Sequence, residues 1–237
     1  MIKINEVQLA DYVHCPILYD ALHVKKLPFE KPQSMQKMLT SVTLSFFLAL
    51  MDGRVLRMSD LKKKWDAVCE KADYMTPQKN LEGIAMLTKM YAWAEREQIR
   101  IRDTKTPYSF VIKKNGHRCE YVGELTTLAL TKTGQTELLH VDFSNKYPDQ
   151  AILDMNLKYS ADAYIFKKNF DTDIGIHIHN VKNDKDFFTF RSEDDFVRML
   201  DSIDSISRSI EQKIIYPREN IMCGSCGLKN FCRKWSL

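Results

Sequence analysis

The stretch Cys223-Gly224-Ser225-Cys226-Gly227-Leu228-Lys229-Asn230-Phe231-Cys232 sets three cysteines at C-x2-C-x5-C spacing among two glycines, an aromatic ring and a basic side chain. A C-x2-C pair aims two thiolates at one ion, because the glycines let the backbone fold tightly around it. Three thiolates leave a tetrahedral or cubane metal site one ligand short. The candidate fourth stands far upstream, in Tyr12-Val13-His14-Cys15-Pro16-Ile17-Leu18-Tyr19. A shared site would tie the first helix to the last residues and close everything between them. Cys69 and Cys119 fall in ordinary periodic segments and read as packing residues.

The chain has 237 residues, 44% of them apolar, enough to bury a proper core as one domain or a domain with a helical insertion. With 8 glycines, 7 prolines and 28% charged residues the composition is that of a compact soluble protein without low-complexity linkers. The net charge of +4 hints at an anionic partner without requiring one. No charged-then-apolar leader and no apolar run of about 18 residues is present, so no membrane is expected and the location is read as intracellular, cytoplasmic or nucleoid-associated. In such a compartment six cysteines are thiols or ligands rather than disulfides.

A short strand or turn from Ile4 leads to a helix around Asp11 to Leu22, with Pro16 suited to its first turn. A strongly apolar helix from Ser34 to Met51 closes at Asp52-Gly53, where glycine tolerates the left-handed cap. Ser59-Asp60 opens a helical hairpin carrying Leu61, Trp65, Val68 and Cys69 at helical spacing, and Thr76-Pro77 caps the next helix, to about Ile99. The pattern changes at Pro107. Tyr108 to Lys113, Arg118 to Thr131 and Thr136 to Phe143 alternate and are rich in branched and aromatic residues. Asn115-Gly116 and Thr133-Gly134 are hairpin turns, so three antiparallel strands in succession are expected. Asp149 to Lys168 reads as a helix with Ile152, Met155, Tyr159 and Ala163 inward. Ile174 to Val181 and Asp186 to Arg191 read as two more strands, and Ser192 to Asp195 as the capping box of a last long helix. The class is α+β: a helical region over 1–106, sheet and helices over 107–215 and the cysteine segment over 216–237, in one compact unit.

This order of elements, with Cys15-Pro16-x-x-Tyr19 near one end and Tyr216-Pro217 before Cys223, Cys226 and Cys232 at the other, resembles the iron–sulfur branch of the RecB/AddB-like PD-(D/E)XK nucleases over nearly the whole chain. The resemblance implies a restriction-endonuclease-like core, a central mixed sheet flanked by helices, with an N-terminal helical part. It also implies a 4Fe-4S cluster on Cys15, Cys223, Cys226 and Cys232, a structural staple joining the termini. From composition alone zinc is a fair rival, since sites built from four cysteines hold either.

The resemblance also places a nuclease site on Gly123-Glu124-Leu125-Thr126 and on His140-Val141-Asp142-Phe143-Ser144-Asn145-Lys146. Active members carry an acid three residues after the glycine and Asp-x-Lys at the end of the third strand. Two carboxylates hold Mg or Mn beside the scissile phosphate, and the lysine orients or activates the attacking water. Asp142 is in place, but Thr126 stands where the acid belongs and Ser144 where the lysine belongs. The helical histidine of active members has no counterpart, since the chain reads Met38-Leu39-Thr40-Ser41-Val42-Thr43 there, and their Gln-x-x-x-Tyr becomes Met155 to Tyr159. Glu124 and Lys146 lie two residues from the substituted positions and so on the same strand faces. With Asp142 they would form the catalytic set if the protein cuts DNA.

The expected function is therefore a non-catalytic DNA-binding accessory subunit of a DNA-processing complex, taking single-stranded DNA or duplex ends. Losing the carboxylates removes their repulsion from a phosphate backbone. Lys25, Lys26, Lys146, Lys229, Arg233 and Lys234 are the candidate phosphate contacts, joined by Lys31 and Arg218. Phe231 and Trp235 either stack on bases or shield the cluster. The other readings are a Mg- or Mn-dependent exonuclease or endonuclease, and a protein-interaction factor of a polymerase or recombination complex.

Overall fold

A computed structural model describes residues 1–28, 34–72, 75–220, 223–224 and 226–233. Lys31, Lys234 and Trp235 lie outside the described residues. Strand β1 (Ile2–Asn5) runs directly into α1 (Glu6–His14) through a reciprocal cap, in which Gln8 N donates to Asn5 Oδ1 at 2.9 Å and Asn5 N to Gln8 Oε1 at 3.0 Å. The single helix expected from Asp11 to Leu22 is broken. A residue preceding proline is pushed out of the α region, and Cys15 is extended at φ −164°, ψ 117°. Pro16 then starts a separate α2 (Pro16–Tyr19), which passes into a π-helical turn, Asp20–Val24.

Helices α3 (Met35–Met51), α4 (Met58–Cys69) and α5 (Pro77–Arg96) follow the sequence reading, with Ser34 and Thr76 as side-chain caps. A short strand that the sequence did not announce, β2 (Arg100–Asp103), precedes β3 (Pro107–Lys114) and β4 (His117–Glu124). The strand expected from Arg118 to Thr131 is two strands: β4 stops at Glu124, and β5 (Thr127–Leu130) joins another sheet, where it pairs with β6 (Thr136–Asp142). The helix expected from Asp149 to Lys168 is likewise two, α6 (Gln150–Asp154) and α7 (Leu157–Phe170). Asn156 causes the break by turning its side chain back to accept from Tyr159 N at 3.1 Å. Ile152 and Met155, expected inward, are 64% and 57% exposed, whereas Tyr159 and Ala163 are buried. The chain continues through β7 (Gly175–Asn180), β8 (Lys185–Thr189), α8 (Glu193–Glu211) and α9 (Lys229–Arg233). No helix among the described residues is long and apolar enough to cross a membrane.

The chain divides into two compact units. One comprises 1–31, 107–123 and 197–237 and holds a three-stranded sheet in the order β1-β4-β3, with β1 parallel to β4 and Ile2 opposite Cys119. The other comprises 32–106 and 124–196 and holds a five-stranded mixed sheet, β2-β5-β6-β7-β8, antiparallel except between β6 and β7. Of the three antiparallel strands expected in succession, the third therefore leaves the first two. Side chains alternate across a strand, and β6 buries both faces. Leu139 and Val141 join Leu39, Phe46, Trp65, Leu87 and Trp93 of the α3–α5 layer, while Leu138 joins Leu153, Tyr159, Ala163, Ile176 and Ile178 on the α7 side. The second unit is thus a mixed sheet flanked by helices and preceded by helices. Buried Arg191 locks α6, α7 and β8 together by donating to Leu153 O, Ser160 Oγ and Thr189 Oγ1 at 2.6–2.7 Å.

On the α5 side of β7, His179 stacks on Trp93 with ring centroids 4.0 Å apart. His177 meets Asp186 at 2.8 Å and Glu137 at 3.0 Å. Burial opposes a charge on His177, but the hydrogen bonds to the two carboxylates outweigh it and raise the imidazole to about 9. A histidine protonated up to about pH 9 when folded, yet only to about 6.5 when unfolded, contributes stability that is complete below pH 6.5. That stability is lost as pH climbs through 9. Urea unfolding should therefore show about 2 kcal/mol of stability lost between these limits, after discounting for the part-exposed Asp186. In His177→Gln the same titration should be nearly flat and start lower.

Candidate functional site

In the first unit, the break before Pro16 leaves the carbonyls of Val13 and His14 without helical N–H partners. The segment after α8 takes them: Arg218 donates to Val13 O at 2.6 Å and Asn220 Nδ2 to His14 O at 3.2 Å. The Tyr12 hydroxyl donates in the opposite direction, to Ile214 O at 2.6 Å. These bonds carry the C-terminal cysteines to Cys15. Cys15, Cys223, Cys226 and Cys232 line one cavity of about 330 Å³, whose apolar wall includes Ile17, Leu18 and Leu228 and whose charged lining includes Lys229 and Arg233. The amide of Asn220 donates to Cys223 Sγ at 3.4 Å. Burial pushes the Cys232 thiol up, and charge on Cys15, Cys223 and Cys226 pushes it further, so the four sulfurs feel one another. Four thiols converging on one partly apolar cavity is a donor set that fits a thiolate-bound metal group.

In the second unit, the alternation that buries Leu138 turns His140 and Asp142 to the α7 side of β6. Asp142 accepts from Ser144 N at 2.9 Å, from the Ser144 hydroxyl at 2.7 Å and from Asn180 Nδ2 at 2.7 Å. Asn180, fully buried, lies opposite Asp142 in the β6–β7 register. From α7, the Lys158 ammonium donates to Glu124 O at 2.6 Å, to Thr126 Oγ1 at 3.2 Å and to the Asp162 carboxylate. Asp162 is fully buried and also accepts from Thr126 N at 3.0 Å. Burial makes His140 harder to protonate; Asp142 and Asp162 work against this and Lys158 reinforces it, which places all four in one electrostatic neighbourhood.

The remaining expected residues are dispersed. The Glu124 carboxylate turns to Lys105 at 2.8 Å, both side chains more than half exposed, and so engages a different partner from Asp142. Lys146 is exposed, and its carbonyl accepts from Ser144 Oγ and Asn180 Nδ2. Lys25 pairs with Asp20 at 2.9 Å and lies 4.8 Å over the Phe231 ring, while Lys26 is exposed at φ +50°. Gly123 packs against Tyr108, where a Cβ would stand 2.6 Å from the ring. Of Met155 and Tyr159 only Tyr159 reaches this end of the sheet, its ring edge-on to His140 with centroids 5.7 Å apart, and Lys158 and Asp162 join it; Met155 is the exposed C-cap of α6. The i,i+4 charge pair was legible on its own terms, but a continuous helix hid its register.

A third cluster was not foreseen. Cys119, read above as a packing residue, lies on β4 two residues from His117, and the ligand atoms of His117, Cys119 and Asp204 of α8 are all within 4.8 Å of one another. This group could hold a metal ion.

No protein-family model matches the sequence, and no curated protein sequence matches it significantly. Among solved structures, a candidate exonuclease from Eubacterium rectale superimposes with a TM-score of 0.54 at 12% identity, over 98% of this chain and 87% of that one. The protein SSO0001 aligns over 97% of this chain and 85% of its own at 12% identity, with a TM-score of 0.44. The first likeness shows a shared fold.

Removing Lys158 would strand the Asp162 charge in a dry environment. Lys158→Met should cost about 3 kcal/mol in urea unfolding, and Lys158→Met with Asp162→Leu should recover most of it. A single variant as stable as the parent would show that the ammonium compensates nothing.

Proposed function

We propose that the chain is a nucleic-acid-binding protein on a nuclease-like fold that does not cut, and that it serves as an accessory subunit of a DNA-processing complex. The observation that carries this reading is Lys158. Where the resembling enzymes gather carboxylates around a divalent ion, this chain has two carboxylates that are already engaged, Asp142 by neutral donors and Asp162 by a tethered ammonium. An ammonium cannot hold a phosphoryl oxygen and a nucleophilic water in one coordination sphere as Mg or Mn does. The basic groups Lys25, Lys229 and Arg233, with Phe231, belong to the unit that holds the thiol cavity and are its phosphate-binding candidates. Lys26, Lys146 and Lys234 are weaker members of the set. Cys15, Cys223, Cys226 and Cys232 would hold a 4Fe-4S cluster, or a zinc ion, whose chemistry here is a cross-link between distant parts of the chain. Exposed Phe188 and Phe190 at the β8 edge, 46% and 70% exposed, favour a protein partner as the second reading.

Labelled single-stranded and duplex DNA incubated with the protein and Mn should remain intact, yet be retained in a gel shift that weakens steeply with salt. Cleavage abolished by Asp142→Ala would instead establish the nuclease built on Glu124, Asp142 and Lys146. Absence of DNA binding even at low salt would shift the reading to the protein-interaction factor.

Protein purified aerobically should be brown from sulfide-to-iron charge transfer. Cys15→Ala should bleach it and lower its thermal midpoint, because the cross-link closes a very long loop. A colourless protein carrying stoichiometric zinc would replace the cluster with the zinc alternative.

A further inference from the structure

The geometry points to a second metal centre in the first unit: a zinc-class divalent ion held by His117 Nδ1, Cys119 Sγ and Asp204 Oδ1, with Glu211 orienting the imidazole. It is separate from the cavity of Cys15 and shares no residue with it. A tetrahedral ion bonded at about 2.0 Å to nitrogen and oxygen and about 2.3 Å to sulfur sets its ligand atoms roughly 3.3–3.5 Å apart. Nδ1 and Oδ1, now 2.6 Å apart, would part slightly to admit the ion, with the sulfur already within 4.8 Å of both.

The surroundings are those a ligated histidine needs. His117 Nδ1 faces Asp204 Oδ1 at 2.6 Å, while Nε2 meets Glu211 Oε2 at 3.1 Å. A metal-bound imidazole donates its other N–H to a carboxylate, which fixes the ring and the tautomer. Arg208 Nε occupies the second oxygen of Asp204, Oδ2, at 2.8 Å, which leaves Oδ1 for the ion. Two ligands come from a strand and one from a helix, so the backbone holds them rigidly. Cys119 is fully buried and Asp204 is 4% exposed, whereas the Glu211 side chain is 40% exposed and marks the entry side. With the thiolate, Asp204 and Glu211 against Arg208 and a divalent ion, the charges cancel. On binding, the ion takes the place of the thiol proton and of any proton on Nδ1, while Nε2 keeps its own proton toward Glu211. The displaced protons go to solvent, and nothing is oxidised or reduced. The plainer alternative is a metal-free network of hydrogen bonds.

Full-length protein loaded with zinc sulfate and dialysed would be read by zinc content and by X-ray absorption at the zinc edge. The expected shell has one sulfur at about 2.3 Å and nitrogen or oxygen at about 2.0 Å, alone or superposed on an all-sulfur shell. Cys119→Ser should delete that sulfur. Since Cys119 is buried and its variant could misfold, Glu211→Gln gives an independent measure: tenfold to a hundredfold weaker zinc binding with an unchanged circular dichroism spectrum. An all-sulfur shell alone, no retained zinc, or an affinity indifferent to Glu211→Gln would overturn the centre.

Discussion

Proline at position 16 pushes the residue before it out of the helical conformation, and the first unit is organised around that break. It drives Cys15 out of the helix into an extended conformation and leaves two helical carbonyls free. Arg218 and Asn220 take those carbonyls from more than 200 residues away. A backbone hydrogen bond is worth about 1 kcal/mol net, and more when the donor is a guanidinium. Several such bonds, closed by Tyr12 onto Ile214, can hold a segment whose own short helix buries little. The Cys-Pro pair thus has two physical jobs: it turns a thiol off the helix and creates the acceptors that bring the other thiols to it.

In the second unit the governing feature is the parallel pair β6–β7, covered on both faces. Strands buried on two sides carry apolar residues throughout, so the polar residues His140, Asp142 and Asn180 at their far end must satisfy one another. They do so with neutral partners. Lys158 supplies the positive charge beside Asp162, and it arrives on a side chain, fixed in number and unable to exchange with solvent. A site that binds a divalent ion must instead keep unneutralised carboxylates waiting for it. The same helix end therefore gains stability from a built-in charge.

Strong local signals were read correctly: the helix start near Ser34, the cap at Thr76, the Asn115-Gly116 turn and the alternation along β6. Breaks inside periodic segments were not. Asn156 looks like any polar residue on a helix until its side chain is seen capping Tyr159, and the alternation of 118–131 runs unbroken across a change of sheet. The first failure comes from a local side-chain cap and the second from tertiary pairing overriding local periodicity. Residues that act through distant partners were also invisible. Arg191 resembles a surface arginine, and His117 becomes notable only when α8 brings Asp204 and Glu211 to it. The C-x2-C-x5-C spacing stands out in the sequence by itself, and Cys15, Cys223, Cys226 and Cys232 line one cavity.

Gly123 shows how a glycine in a signature can answer to packing rather than to chemistry. Its lack of a side chain is required by the ring of Tyr108 lying flush on the backbone, a demand that is met whether or not an acid follows three residues later. A pattern keyed to that glycine recognises a steric niche. It reports how closely a side chain approaches the backbone, and the residue three positions on has to be read separately.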